Sequence, residues 1–201
     1  MTCFCDDKRE RFEPINCLPL PIPEQEDFPN IHHCLSQLKH PEDLLYYNCQ
    51  SCESATNAIK ILELSTSPDI FVFQFKRFEV FSNSKNQTLI QFPITGLNIS
   101  EHILEESENS ETAVYDLTGV IQHIGHSIKG GHYISLCKHS TGKWYKFDDD
   151  RVNEISDIEI VNHNAYILIY VKQKLSAVST IPSLLGSSSN TVDMTYEADK
   201  S

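Results

Sequence analysis

His132 stands directly behind two glycines in Gly130-Gly131-His132-Tyr133, and a carboxylate pair closes the run Trp144-Tyr145-Lys146-Phe147-Asp148-Asp149. An imidazole titrates near neutrality and can move protons at physiological pH. A carboxylate that accepts from one ring nitrogen fixes the tautomer and leaves the other nitrogen as a base. His132 and Asp148 therefore supply two members of a nucleophilic triad, the base and the group that orients it. A nucleophile in a matching setting is not evident beside them. The same residues would also suit a plain hairpin with a surface histidine and a turn-end acidic pair.

For the two groups to meet, residues 132–139 and 143–148 must pair as antiparallel strands across the turn signal Ser140-Thr141-Gly142. His132 then opens one strand and Asp148 closes the other, one or two rungs apart. Diagonal neighbours in a sheet lie roughly 7–8 Å apart, a gap that side chains span. The glycines before His132 allow a tight backbone and close approach by another segment. Cys137 lies five residues beyond His132 on the same predicted strand and so points to the opposite face.

A second group of residues suits metal chemistry. Seven cysteines lie at 3, 5, 17, 34, 49, 52 and 137. An odd count without a leader favours reduced thiols and metal binding over disulfides, and an intracellular setting. Cys49-Gln50-Ser51-Cys52 has the spacing with which one turn holds a structural zinc ion. A tetrahedral site needs two more ligands. Cys3 and Cys5 are the available pair, separated by one residue and not two, with His32 and His33 as substitutes. Cys17 and Cys34 sit among apolar neighbours and read as small core residues.

The frame around these groups is mostly β. Strands are predicted at 60–65, 69–77, 88–92, 114–123, 132–139, 143–148 and 164–172, joined as one antiparallel sheet. The prolines in Leu18-Pro19-Leu20-Pro21-Ile22-Pro23 make that segment extended. Ile31, Cys34, Leu35, Leu38, Leu44 and Leu45 have helical spacing, interrupted at Pro41. Residues 54–59 read as a turn or short helix, and 152–161 as a partly helical connection. Five glutamates and no lysine fall in residues 101–112, a solvated loop. From 173 to 201 the chain is Ser/Thr-rich without hydrophobic periodicity and reads as a disordered tail.

The 201 residues are enough for a sizeable core. A net charge of −12 argues against nucleic-acid binding and suits a basic protein partner. No apolar run approaches a membrane span, and no secretory leader is visible. The motifs Asn86-Gln87-Thr88 and Asn98-Ile99-Ser100 then match the glycosylation pattern by chance.

Taken in order, Tyr47–Cys52, Pro68–Phe78, Phe92-Pro93, Tyr115–Val120, His123–Gly125, Gly130–Tyr133, Trp144–Asp149 and Ala165–Tyr170 resemble the fingers and palm of the ubiquitin-specific proteases. The resemblance covers roughly residues 3–172. It implies an α+β, papain-like right-hand fold: zinc-ribbon-like fingers at about 1–65 and an antiparallel β-sheet palm at about 60–172. On this match Cys5 takes the second position of the first finger pair, Thr2 falls where the first cysteine would stand, and Cys3 is displaced by one. The implied reaction is thiol-dependent hydrolysis of the bond after the terminal glycine of ubiquitin. His132 matches the base, Asp148 the orienting residue and Asp149 a supporting polar group.

Gly130, Gly131, Tyr133 and Phe75 match the channel for the ubiquitin tail, with 123–131 as its gating loop. The family's nucleophilic cysteine box and thumb have no counterpart here, so the chain reads as the C-terminal half of a deubiquitinase. The alternative is an inactive relative that binds ubiquitin. A zinc-stabilised scaffold for an unrelated partner would need all the ordered blocks to be fortuitous.

Overall fold

A computed structural model describes residues 9–51, 53–78, 84–104, 113–127 and 129–174. Cys3, Cys5 and Cys52 lie outside these residues, as do Thr2, most of the glutamate-rich run and the Ser/Thr-rich stretch from 175.

The centre of the fold is set by alternation in Ile70-Phe71-Val72-Phe73-Gln74-Phe75. A strand sends alternate side chains to opposite faces, and Phe71, Phe73 and Phe75 are all buried on one of them. We number this strand β4 (Ile70–Phe75). Before it come β1 (Leu18–Leu20), α1 (Ile31–Ser36), β2 (Glu42–Cys49) and β3 (Ser54–Lys60). After it come β5 (Leu97–Asn98), β6 (Val114–Ser127), β7 (Gly130–Lys138), β8 (Trp144–Asp148), β9 (Arg151–Ile155) and β10 (Ala165–Lys172).

Eight strands form one sheet in the order β1-β4-β10-β6-β7-β8-β9, with β5 also on β6. Pairing is antiparallel except between β1 and β4, which run parallel. The expected all-antiparallel sheet is corrected at that edge. Extended backbone over the proline run brings Leu18 and Leu20 opposite Phe73 and Phe75.

One apolar cluster covers this face. It joins Leu20, Phe73, Leu168, Val120, Leu136 and Trp144 from the strands to Ile31, Cys34 and Leu35 of α1. The helix is capped by the Asn30 side chain, which accepts from the His33 amide at 3.0 Å. Buried Tyr115 and Tyr170 donate their hydroxyls to the Pro68 and Pro93 carbonyls, so neither buries an unpaired polar atom.

A bulge at Thr118 resets the phase of β6. Ile169 pairs with Gly119 and Tyr170 with Leu117, leaving Thr118 without an opposite residue. The inward set therefore changes from Tyr115 and Leu117 to Val120 and Gln122, and this carries the face on towards His132.

Among the described residues, strands β2 and β3 pair only with each other. Here the sequence reading fails in two places. Residues 42–45 continue no helix: Pro41 cannot donate within one, and Glu42 instead pairs with Lys60 at the start of a strand ladder. Residues 54–59 are a strand, not a turn or helix. Two predicted strands also shrink, since 60–65 and 88–92 keep only the isolated bridges at Leu64 and Gln91 beyond the end of β3. The 152–161 connection divides into β9 and a 3-10 turn at Asp157–Glu159.

Candidate active site

The hairpin β7–β8 positions the histidine and carboxylate by register. Ser135 pairs with Phe147 and Lys138 with Trp144. The turn between them is closed by the His139 amide on the Lys143 carbonyl at 2.8 Å. Gly142 takes a left-handed φ of 86°, open to glycine at no steric cost. Carried one residue further, this register sets Asp148 beside Ile134, two residues along the same face from His132. Trp144, Ile134 and Leu136 on that face are buried and fix the frame. His132 and Asp148 emerge where the core ends.

The two side chains meet. His132 Nε2 lies 2.6 Å from Asp148 Oδ1, and Lys146 Nζ is 3.6 Å from the other carboxylate oxygen. With Nε2–H donating, Nδ1 is the ring nitrogen left to act as a base. The hydrogen bond to Asp148 raises the His132 pKa above its ordinary value, helped by the charges of Asp149 and Asp148. The same bond, with His132 and Lys146 nearby, holds Asp148 below the usual carboxylate range. Asp149 turns away from the ladder with φ 52°, a conformation that Asp and Asn tolerate better than most side chains. Its carboxylate still comes within 4.8 Å of both partners. The trio could attract a cation, but 2.6 Å is a hydrogen-bond distance. Ligand atoms around one zinc ion would stand roughly 3.3 Å apart.

Among the expected channel residues, Gly130 and Gly131 are exposed and Tyr133 is half exposed. Phe75 is fully buried, with the Arg77 guanidinium over its ring at 5.4 Å. It therefore lines no open surface, against the expectation that it borders the channel. The predicted loop 123–131 is corrected: β6 extends to Ser127 and β7 begins at Gly130, so strand ladder fills most of it.

Beside this ladder His123 is buried, which the sequence reading did not anticipate. Its ring packs on Tyr133, Phe78 and Tyr166. It also occupies the space where a Cβ on Gly131 would sit, at 2.8 Å from Cε1. Lys85 is buried beneath, its ammonium donating to the His123 carbonyl and to Asn164 Oδ1. Arg77 is buried too and donates to the carbonyls of Ala165, Asn86 and Thr88. Cations inside an otherwise apolar strand context, as in Phe75-Lys76-Arg77-Phe78, were the available signal.

The cysteines take other places. Cys137 is exposed on the face of β7 opposite His132. Cys34 is buried, and burial pushes its thiol up to about 12, which makes it inert. Burial also raises Cys17. Cys49 is buried at the end of β2. Arg9 reaches that hairpin tip, its guanidinium 2.5 Å from Gln50 Oε1 and 3.2 Å from Ser51 Oγ.

The family model for ubiquitin carboxyl-terminal hydrolase matches residues 26–170. The chain is 35% identical over 178 residues to the probable ubiquitin carboxyl-terminal hydrolase R319 of Acanthamoeba polyphaga mimivirus, covering 85% of this chain and 38% of that protein. It is 33% identical over 183 residues to ubiquitin carboxyl-terminal hydrolase 8 of Saccharomyces cerevisiae, with the same coverage of 85% and 38%. Among solved structures, a SAGA DUB module made of a Ubp8 variant, a shortened Sgf11, Sus1 and Sgf73 matches with a TM-score of 0.64 and 34% identity, over 81% of this chain and 36% of that one. The SAGA Ubp8/Sgf11/Sus1/Sgf73 DUB module bound to ubiquitin aldehyde matches with a TM-score of 0.64 and 30% identity, over 83% and 41%. The chain thus spans less than half the length of these relatives. No helix among the described residues is long and apolar enough to cross a membrane. With its mixed α and β architecture and these likenesses, the chain belongs to the ubiquitin carboxyl-terminal hydrolase family, as a member of its ubiquitin-specific protease branch.

Proposed function

We propose that this chain supplies the ubiquitin-holding surface and the base–orienter pair of an intracellular, thiol-dependent deubiquitinase. The 2.6 Å contact between His132 Nε2 and Asp148 Oδ1 carries the reading. His132 takes a thiol proton through Nδ1. The thiolate adds to the carbonyl carbon of ubiquitin's terminal glycine, and the imidazolium returns the proton to the leaving amine. Water, deprotonated by the same imidazole, then hydrolyses the thioester. Asp148 holds the tautomer and stabilises the imidazolium, and Asp149 adds negative charge beside it. Gly130, Gly131 and Tyr133 border the path of the ubiquitin tail, with Phe75 as its buried support.

The side chains that converge with His132 among the described residues are carboxylates, without a thiol. We therefore assign the nucleophile to polypeptide outside the described residues. Coverage of only 38% of the relatives' length is consistent with this. The same observation favours a second reading, in which the chain by itself holds ubiquitin without cleaving it. A ubiquitin-based thiol-reactive probe separates the two. Under the first, a polypeptide extended to the length of the relatives is labelled and the present chain is not. Absence of labelling in the extended form, together with ubiquitin binding by calorimetry, leaves only the holding role.

In the fingers, Cys49 and Cys52 with Cys5 and Cys3 would hold a structural zinc ion. The donor set suits zinc, and the contact of Arg9 with Gln50 and Ser51 brings the N-terminal segment to the Cys49 turn. Zinc would join the tip of β2–β3 to that segment. Chelation should then speed amide exchange in Glu42–Lys60 and leave β7–β8 unchanged. Equal exchange with and without chelator would remove the zinc.

A further inference from the structure

Away from both sites, a second group of potential ligands has formed where α1 meets the 3-10 turn Ser100–His102. His32 Nδ1 lies 3.2 Å from His102 Nε2 and 3.3 Å from Glu101 Oε1, and His102 Nε2 lies 3.2 Å from the same carboxylate oxygen. Three lone-pair atoms thus make a nearly equilateral triangle.

Hydrogen bonds satisfy such a triangle poorly. If both imidazoles donate to Glu101, two protonated ring nitrogens stand 3.2 Å apart with no acceptor between them. If one imidazole donates to the other, one edge to the carboxylate is left weak. A central cation satisfies all three edges at once. Around zinc, ligand distances of about 2.0–2.1 Å at tetrahedral angles set neighbouring donor atoms roughly 3.3 Å apart, and the observed edges are 3.2–3.3 Å. The site is also built. His102 has only 6% of its side chain exposed, while His32 and Glu101 open to solvent with 37% and 70%. That leaves one side for a fourth ligand such as water. His33, the adjacent histidine, turns instead to Glu26 at 3.9 Å.

We propose that His32, Glu101 and His102 form a binding site for one divalent transition-metal ion of the zinc class, separate from the cysteine ligands of the fingers. Two imidazoles select such an ion over magnesium or calcium. The ion would tie residues 32 and 102, far apart in sequence, and clamp α1 to the 3-10 turn Ser100–His102. The open position makes it exchangeable, unlike a closed site of four thiolates.

Cobalt(II) added to the full chain tests this. The expected result is a tetrahedral visible spectrum component without sulfur-to-cobalt charge transfer, distinct from any thiolate-bound fraction. His32→Ala and Glu101→Gln, both at solvent-open side chains, should each remove that component. Each should also lower the zinc bound at saturating free zinc by one equivalent per chain, with any thiolate-bound metal kept. Zinc should protect amides of α1 in the wild type and not in either variant. Unchanged cobalt spectra and zinc content in both variants, or cobalt bound solely with sulfur charge transfer, would overturn the site and leave a hydrogen-bonded cluster. Neither outcome bears on ubiquitin hydrolysis.

Discussion

Two antiparallel hairpins carry the residues of chemical interest, and they are built to different degrees. β7–β8 lies inside the large sheet, flanked by β6 and β9, with Trp144, Ile134 and Leu136 in the core. Among the described residues β2–β3 has no neighbouring strand; Cys49 and Ala58 are its buried residues there, while Leu45 and Tyr46 are exposed. A two-stranded hairpin alone is marginal in water. The first hairpin therefore has its polar pair set by register before any ligand arrives. Among the described residues the second is held by fewer buried contacts, and the zinc ion proposed above would add a cross-link there.

The largest expected effect falls on the pre-set pair. Asp148→Asn, placed in a polypeptide that carries the nucleophile, should lower kcat by roughly 10⁴-fold, the scale seen when the orienting carboxylate of a triad is neutralised. Histidine NMR titration of the same variant should show the His132 pKa falling back towards its ordinary value. Because folding raises the His132 pKa, its pairing stabilises the fold below the unfolded-state pKa, and this is lost as pH rises through the raised value. Folding lowers the Asp148 pKa, so its contribution is present above the unfolded-state value and is lost as pH falls through the lowered one. The pair thus operates between Asp148's lowered and His132's raised pKa. An unchanged kcat would place the site elsewhere.

Next in size is the difference in anchoring. Trp144→Ala should cost about 3–5 kcal/mol in urea unfolding, whereas Leu45→Ala on exposed β2 should stay within about 0.5 kcal/mol. Equal losses would erase the distinction between the hairpins.

A smaller effect sharpens the picture at the open end of β7. Gly131→Ala must displace the His123 ring and should cost about 1–3 kcal/mol. Gly130→Ala has nothing within 4 Å of its new Cβ and should leave the urea midpoint nearly unchanged.

Asp149→Gly should do least. Glycine accepts the left-handed turn but frees the unfolded chain, so stability should change by less than about 1 kcal/mol. His132 should titrate slightly lower, by less than in Asp148→Asn, since Asp149 acts on it by charge without a hydrogen bond.

Much of the large sheet was legible in the sequence. Phe71, Phe73 and Phe75 alternate, Ser140-Thr141-Gly142 marks a turn, and together they predicted β4, β7, β8 and the meeting of His132 with Asp148. The strands β2 and β3 were not legible. Their buried positions are few, so little apolar alternation was available, and Leu44 and Leu45 happened to continue the spacing of α1. Nor was the fate of loop 123–131, because the glycines there accommodate a neighbouring ring and not a free lid.

By itself the chain determined what is local. Period-two alternation, turn residues and the interval from 132 to 148 follow from short-range steric rules, and they fix one hairpin and its polar pair. Tertiary structure alone decided which strand accepts β1 in parallel, that His123 fills the space beside Gly131, and that His32 meets Glu101 and His102. Those contacts join segments whose separation along the chain leaves no periodic trace, and packing the common core brings them together.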